Sequence, residues 1–282
     1  MKWYTKYLTV FEKPIEEVPQ SVIDEIKEKL KDKKRPEPLA SVVVIAYNEE
    51  KRLLSCLWSL AETKTEFPIE IIGIDNISTD RTSDVFKSVG LKYFTETNKG
   101  PGFARDRGQN EAKGKYYFCI DSDTMYPPDY IDTHLKQLMK PGIVATSSLW
   151  SYVPDKDFPR YWMCFYELLR NIHLRIQSRK RPELCVRGMT FAYNTDFGRQ
   201  VGYRLDIIRG EDGSMALGLK KYGKIKFITG KRAKVITSTV TLRQDGSVFN
   251  ALKVRIVKAF KHLRNYFFPK DSYKDEESNL IK

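Results

Sequence analysis

The sequence Ser-Val-Val-Val-Ile-Ala-Tyr-Asn-Glu-Glu, residues 41–50, decides the fold of this chain. Its first part, residues 41–46, is a continuous apolar run rich in β-branched side chains, which predicts a strand buried on both faces. Asn48 is of a residue type that caps helices, and apolar residues recur at helical spacing over residues 53–58. A second apolar run, residues 69–74, predicts the next strand.

The alternation of strand and helix patterns continues beyond these elements. Residues 78–89 and 103–114 have helical patterns, and residues 92–95 and 115–120 are short apolar runs typical of strands. Strands that alternate with helices predict an α/β fold with three layers, α/β/α, and a mainly parallel central sheet.

The two ends of the chain differ in pattern from its middle. Apolar residues recur at helical spacing over residues 22–30, and the charged, proline-rich residues 31–38 are typical of a linker. We therefore expect an N-terminal helical extension over residues 1–40, a domain over residues 41–240, and a C-terminal basic amphipathic helix with a tail over residues 241–282.

Composition restricts the class of protein. The 282 residues carry a net charge of +13, which favours an anionic partner such as nucleic acid, a membrane surface or a phosphorylated substrate. Neither a membrane-spanning run nor a signal peptide is expected from the apolar pattern. The chain contains four widely spaced cysteines, which form no metal-binding or disulfide pattern, so we expect a cytoplasmic protein.

Carboxylates follow three of the predicted strands. They occur in residues 47–50, 75–80 and 121–123, and the carboxyl ends of parallel strands form the edge where ligands bind. Helix capping explains residues 75–80 equally well. Asp121 and Asp123 have no helix to cap, because Pro127 and Pro128 follow. A divalent cation between this acidic pair and a diphosphate would satisfy both the acidic cluster and the basic net charge.

Five blocks, in this order, resemble the family 2 glycosyltransferases, whose fold is called GT-A. They are residues 41–50, 74–82, 98–108, 121–123 (the DxD motif) and 201–212. The resemblance implies an inverting, metal-dependent transfer of a sugar from a nucleoside diphosphate donor, expected to be a UDP-sugar, to a hydroxyl acceptor. GDP and dTDP donors stay open.

The resemblance also implies roles for individual residues. One carboxylate acts as the catalytic base, the two carboxylates of the DxD motif ligate Mn²⁺ or Mg²⁺, and a group of side chains surrounds the nucleotide. The base would be Asp212, the metal ligands Asp123 and Asp121, and the nucleotide-binding residues Ala46, Tyr47, Glu49, Asp75, Arg105, Asp121, Ser122 and Asp123.

The chain departs from the family pattern at several of these positions. Asn76 and Ile77 replace the usual Asp-Gly, which leaves the nucleotide open. Because no histidine lies between Asp212 and His262, the sequence assigns no third protein ligand to the metal.

Two basic segments with aromatic residues, 160–181 and 249–268, fit two interpretations. They are ordinary helices with solvated lysines and arginines, or they bind an anionic membrane in its plane, on the inner face of the cell membrane. The second interpretation suits a lipid-linked or surface-polysaccharide acceptor. No nucleic-acid-binding motif occurs, so nucleic acid is not an expected partner. A non-catalytic nucleotide- or membrane-binding module and a nucleotidyltransferase stay open as alternatives.

Overall fold

The computed structural model describes residues 2–33, 35–153, 160–240 and 279–280. The strands are β1 Ala40–Ala46, β2 Ile69–Asp75, β3 Tyr93–Thr95, β4 Tyr116–Asp121, β5 Thr124–Met125, β6 Ile143–Ser148, β7 Trp150–Tyr152, β8 Ala192–Asn194, β9 Lys224–Ile228 and β10 Val235–Thr237. The α-helices are α1 Gln20–Lys31, α2 Leu53–Ala61, α3 Thr82–Ser88, α4 Pro101–Glu111, α5 Tyr130–Leu138, α6 Arg160–Lys180, α7 Thr195–Val201 and α8 Glu211–Leu219.

A seven-stranded sheet forms the centre, with the strand order β3-β2-β1-β4-β8-β6-β9. The pairs β3–β2, β2–β1, β1–β4 and β6–β9 are parallel, and only β8 runs antiparallel to its neighbours β4 and β6. The expected α/β fold with a mainly parallel sheet is confirmed. A second, three-stranded sheet of order β5-β10-β7 lies beside it.

The central sheet is covered on both faces, which gives the three layers expected from the sequence. Val42 and Val44 of β1 belong to one hydrophobic core, and Val43 between them belongs to the other. The first core also contains buried residues of α1, α2, α3 and α5, and the second contains buried residues of α4 and α8. A strand enclosed in this way needs apolar residues on both faces, as the run at residues 41–46 has.

The N-terminal helix forms where the sequence predicts it, and it packs on the main core. Ile26 and Leu30 of α1 are buried in the same core as Val42, together with Tyr7 from the preceding residues. The Tyr7 ring lies 5.6 Å from that of Trp58 in α2, centroid to centroid. The domain boundaries at residues 40 and 240 stay predictions, and the predicted C-terminal helix at residues 249–268 lies outside the described residues.

The predicted helix cap at Asn48 is wrong. Helix α2 is preceded by Arg52, whose side chain makes no capping hydrogen bond. Asn48 has a positive φ of 54°, and its Oδ1 accepts a hydrogen bond from the Thr79 backbone N–H at 2.8 Å. Asn48 therefore joins two loops at the carboxyl edge of the sheet. This tertiary bond replaces the local one that its residue type favours.

Candidate active site

A cavity of about 700 Å³ lies at the carboxyl ends of β1, β2 and β4. This is the edge at which α/β sheets bind ligands, and the volume is ordinary for a small-molecule site. The cavity wall contains all but one of the residues that the sequence singled out. These are Ala46, Tyr47, Glu49, Arg105, Asp121, Ser122, Asp123 and Asp212.

Asp75 is the exception among the predicted residues. Its side chain is buried beside the cavity, and Oδ1 accepts a hydrogen bond from the Ser78 backbone N–H at 3.1 Å. The cavity wall contains the next residue, Asn76, instead. Asn76 donates to the Asn98 carbonyl at 2.6 Å and accepts from the Gly100 N–H at 2.8 Å. Asn76 therefore holds the loop before α4, while a contact between Asp75 and a nucleotide stays a prediction.

Tyr47 and Lys99 meet at the cavity. The Tyr47 side chain is exposed, and the Lys99 ammonium lies 4.9 Å from the centre of its ring. An exposed aromatic ring offers a surface on which a base can stack, and the ammonium offers a positive charge for a phosphate. The sequence pattern indicated Tyr47 but gave no sign of Lys99.

Arg105 connects the two acidic parts of the cavity. Its side chain is 2% exposed; Nη2 lies 2.5 Å from Asp121 Oδ1, and Nε lies 3.2 Å from Asp212 Oδ1. Burial alone would lower the pKa of Arg105, but the charges of Asp212 and Asp121 raise it well above its usual value, so the guanidinium stays charged. Its Nη1 has no hydrogen-bond partner in the described part of the chain. The guanidinium thus forms ion pairs with two carboxylates, and its Nε and Nη1 make no hydrogen bond within the described residues.

Asp212 lies in the first turn of α8, directly after a sharp change of chain direction at Gly210, whose φ is 100°. Burial raises the pKa of Asp212 to about 8, and the neighbouring Arg105 charge opposes that rise. A carboxyl with a pKa close to the working pH can both take up and release a proton. The catalytic role of Asp212 stays a prediction, and its burial beside Arg105 is the observation that bears on it.

Asp123 is surrounded by hydroxyl groups. It accepts hydrogen bonds from Ser238 Oγ at 2.5 Å, Thr124 Oγ1 at 3.0 Å and Thr237 Oγ1 at 3.2 Å. Burial and the charge of Asp121 raise the pKa of Asp123, and the hydroxyl donors oppose the rise. Ser238 and Thr237 were missed as site residues, because only the pairing of β10 with β5 brings them to Asp123.

Comparison with models of known protein families identifies the family of this chain. A model of the family described as "Glycosyl transferase family 2" matches residues 41–201, more than half of the chain. The chain belongs to glycosyltransferase family 2. The matched range contains the DxD residues and Arg105. Asp212 lies outside it, so its role rests on the geometry of the cavity and on the resemblance of residues 201–212.

Curated relatives match over part of the chain. An uncharacterized glycosyltransferase of Haemophilus influenzae is 30% identical over 125 residues, which are 41% of this chain and 48% of the relative. Glycosyltransferase GlyA of Streptococcus pneumoniae is 32% identical over 105 residues, 36% of this chain and 15% of the relative. The transferase thus matches about half or less of the length of these relatives.

Solved structures show the same fold at low sequence identity. Residues 1–349 of S. aureus TarS, in complex with UDP-GlcNAc, superpose with a TM-score of 0.55 at 18% identity over 71% of this chain and 58% of that TarS chain. The mannosyltransferase PcManGT of Pyrobaculum calidifontis, in complex with GDP-Man and Mn²⁺, superposes with a TM-score of 0.54 at 18% identity. The superposition covers 86% of this chain and 76% of the PcManGT chain. The transferase therefore has the GT-A fold expected from its sequence.

A third carboxylate, that of Glu49, lies near the DxD pair of the transferase. Burial and the charge of Asp123 raise the pKa of Glu49 to about 8, although Arg52 Nη1 lies 2.9 Å from its Oε2. Burial first, and then the charge of a neighbouring acid, raises the pKa of both Glu49 and Asp123, so a positive charge beside them would be favourable. A bound cation would supply it.

The acidic residues fit a hard divalent cation, provided that the substrate completes its ligands. Within the described residues, no group of three or more His, Cys, Asp or Glu side chains could hold a metal ion by itself. Asp123 and Asp121 offer the carboxylate oxygens that Mn²⁺ and Mg²⁺ prefer, and a diphosphate offers further oxygens. Among the described residues, Asp121 and Asp123 are therefore the ligands that we expect on the protein side of such a site.

Proposed function

We propose that the transferase moves a sugar from a nucleoside diphosphate sugar, expected to be a UDP-sugar, to a hydroxyl acceptor with inversion and with the help of Mn²⁺ or Mg²⁺. The observation that carries this proposal is the Arg105 guanidinium, which joins Asp121 of the DxD motif to Asp212 inside one cavity. TarS with UDP-GlcNAc and PcManGT with GDP-Man and Mn²⁺, which have the same fold, support a donor of this class.

Donor binding uses groups at one side of the cavity. The Tyr47 ring offers a stacking surface for the base, and Lys99 beside it offers a charge for the phosphates. The unpartnered Nη1 of Arg105 is a further donor for an anionic oxygen. Asp121 and Asp123 would hold the metal, which neutralises charge on the departing diphosphate when it is bound.

Asp212 removes the proton of the acceptor hydroxyl. A hydroxyl is a weak nucleophile until a base takes its proton in the transition state. Asp212 lines the cavity, and its Oδ1 lies 3.2 Å from Arg105 Nε, which fixes the carboxylate in place. Burial raises the pKa of Asp212 to about 8 and the Arg105 charge limits that rise, so the ionised carboxylate, the form that accepts a proton, is populated as the pH approaches 8. The acceptor we propose is a glycan or a lipid-linked glycan, such as a surface polysaccharide precursor.

The test separates binding from chemistry with two variants. Full-length protein is incubated with UDP-, GDP- and dTDP-sugars in Mn²⁺ or in EDTA, and the released nucleoside diphosphate is measured with and without hydroxyl acceptors. Asp212→Asn should bind donor normally and lose about 10²–10⁴-fold in turnover, the usual contribution of a general base. Asp123→Ala should lose the metal dependence of donor binding.

Asp196→Asn is the matched control, because Asp196 is an exposed carboxylate in the first turn of α7. It should retain wild-type turnover. Near-normal turnover of Asp212→Asn would remove Asp212 as the base. Metal-independent turnover by the wild type would contradict the role of the DxD residues, and donor binding without any turnover would favour a binding module.

A further inference from the structure

Helix α6 exposes a row of apolar side chains, here called the outer face of α6. Its members repeat at intervals of three, four and seven residues, so they lie on one side of the helix. They are Tyr161 (68% exposed), Phe165 (49%), Leu168 (56%), Leu169 (40%), Ile172 (48%) and Ile176 (52%). Water-soluble proteins rarely expose so continuous an apolar surface unless it binds something.

The opposite side of α6 already holds the helix on the protein. Met163, Tyr166 and Leu174 are buried in the main core. Glu167, also buried, accepts a hydrogen bond from Ser151 Oγ and lies 3.0 Å from the Lys234 ammonium. Within the described residues, the buried side chains that attach α6 to the fold thus lie on its inner side, and the largely exposed apolar residues of the outer face need another explanation.

The charges of α6 indicate which kind of partner would bind its outer face. Arg175, Arg179 and Lys180 are exposed near the C-terminal end of the helix. Glu167 is the only acidic residue of α6, and it lies on the inner side. The solvent side of α6 thus combines apolar residues with positive charges and no negative ones. A second copy of the chain has the same positive excess, whereas anionic lipid has the complementary charge.

We propose that the outer face of α6 binds the surface of an anionic membrane, with the helix lying in the membrane plane. The apolar side chains would enter the boundary between headgroups and acyl chains, and the arginines would contact the lipid phosphates. At 21 residues, α6 offers a contact about 30 Å long. No helix in the described ranges is long and apolar enough to cross a bilayer.

The position of α6 in the chain suits a membrane-bound acceptor. The residues after α6 lead to the turn at Gly188, whose backbone lies against Arg105 and Asp212. The link between α6 and a membrane-bound acceptor rests on the proposed function, but membrane binding itself does not. A vesicle assay needs neither donor nor acceptor, so failure of the membrane proposal and failure of the transfer proposal are distinguishable.

The first experiment measures co-sedimentation of the full chain with vesicles of phosphatidylcholine alone or with phosphatidylglycerol added. We expect binding only to the anionic vesicles, and weaker binding at high salt. The double variant Leu168→Gln/Ile172→Gln should lower the partition coefficient at least about tenfold, because it removes two apolar side chains from the contact. Leu217→Gln is the control, since Leu217 is 53% exposed on α8.

Three outcomes would overturn the proposal. One is a wild-type chain that binds no vesicles, and another is a double variant that binds as well as wild type, because residues outside α6 would then bind the lipid. The third is a wild-type dimer that the double variant converts to a monomer without any vesicle binding, which would make the outer face an interface between copies. Thermal melts of both variants check that each is folded.

Cys164 provides a second measurement. It is exposed on α6 next to Phe165, whereas Cys56, Cys119 and Cys185 are buried, so a thiol reagent labels it selectively. A polarity-sensitive dye on Cys164 should shift to shorter wavelength with anionic vesicles and stay unchanged with phosphatidylcholine. Co-sedimentation without a dye shift would show that another surface contacts the lipid.

Discussion

Gly188 is the position where the smallest change should damage the active site most. A methyl group added there would overlap with Arg105 Nη2 and Asp212 Oδ2 and would lie 3.1 Å from Arg105 Cζ. Arg105 cannot move aside cheaply, because it is buried and paired with both Asp121 and Asp212. Gly188→Ala therefore has to displace the Arg105 guanidinium or the Asp212 carboxylate, the proposed base.

The expected cost follows from these contacts. Overpacking of a buried site costs about 1–3 kcal/mol of unfolding free energy. For a chain of this size, that lowers the melting temperature by about 2–12 °C, and a thermal melt shows whether the variant is folded at the assay temperature. A displacement of about 1 Å at a reacting group lowers the rate about 100-fold. We expect turnover to fall by that factor, and nucleotide affinity to change much less.

Gly213→Ala is the matched control, because Gly213 directly follows Asp212 and no atom lies within 4 Å of an added methyl group. It lies inside α8, where alanine is favoured over glycine by about 1 kcal/mol, so we expect a higher melting temperature and wild-type turnover. The assay is donor turnover together with a thermal melt. If Gly188→Ala matches Gly213→Ala in both, the contact between Gly188 and the Arg105–Asp212 pair does not matter for the reaction.

Three further predictions concern single side chains. Ile77 has a φ of 51°, which a β-branched residue adopts only with strain, so Ile77→Gly should stabilise the protein by about 0.5–1 kcal/mol in a denaturant titration; a loss would refute the strain. Ser238→Ala removes a hydrogen bond to Asp123 and should raise the Mn²⁺ concentration needed for half-maximal donor binding about tenfold or more; an unchanged titration would contradict this role. Burial raises the pKa of Asp212 from 3.8 to about 8, so its contribution to stability is full below pH 4 and is lost as the pH rises through 8. The melting temperature of Asp212→Asn should therefore rise relative to that of the wild type between pH 5 and 9. Parallel curves of melting temperature against pH would contradict the raised pKa.

The sequence predicts the sheet and its ligand edge well, because both depend on local patterns. The apolar run at residues 41–46 can only be a strand enclosed on two sides, and the parallel order brings the ends of β1, β2 and β4 together. Ala46 pairs with Asp75, and Ile45 pairs with Asp121. Residues far apart in sequence thus lie at one edge, as the alternation of strands and helices predicts.

Contacts that depend on tertiary pairing were not predictable from those patterns. Thr237 pairs with Thr124 between β10 and β5, and only this pairing places Ser238 at Asp123. Similarly, the residue type of Asn48 favours a helix cap, but its partner is Thr79 in a neighbouring loop. The bridging position of Arg105 likewise depends on tertiary packing, which brings Asp121 of β4 and Asp212 of α8 to its side chain.

The most direct test of the central claim is a thermal-shift panel of UDP, GDP, dTDP and CDP, each with and without Mn²⁺, on the wild type and Asp123→Ala. A ligand at 100 times its Kd stabilises the folded state by about 2.7 kcal/mol, which raises the melting temperature by about 5 °C or more. We expect one nucleotide, UDP, to do so only with Mn²⁺, and Asp123→Ala to show no effect of the metal. No shift with any nucleotide, or the same metal effect in Asp123→Ala, would contradict a metal-assisted nucleotide-sugar site at the DxD residues.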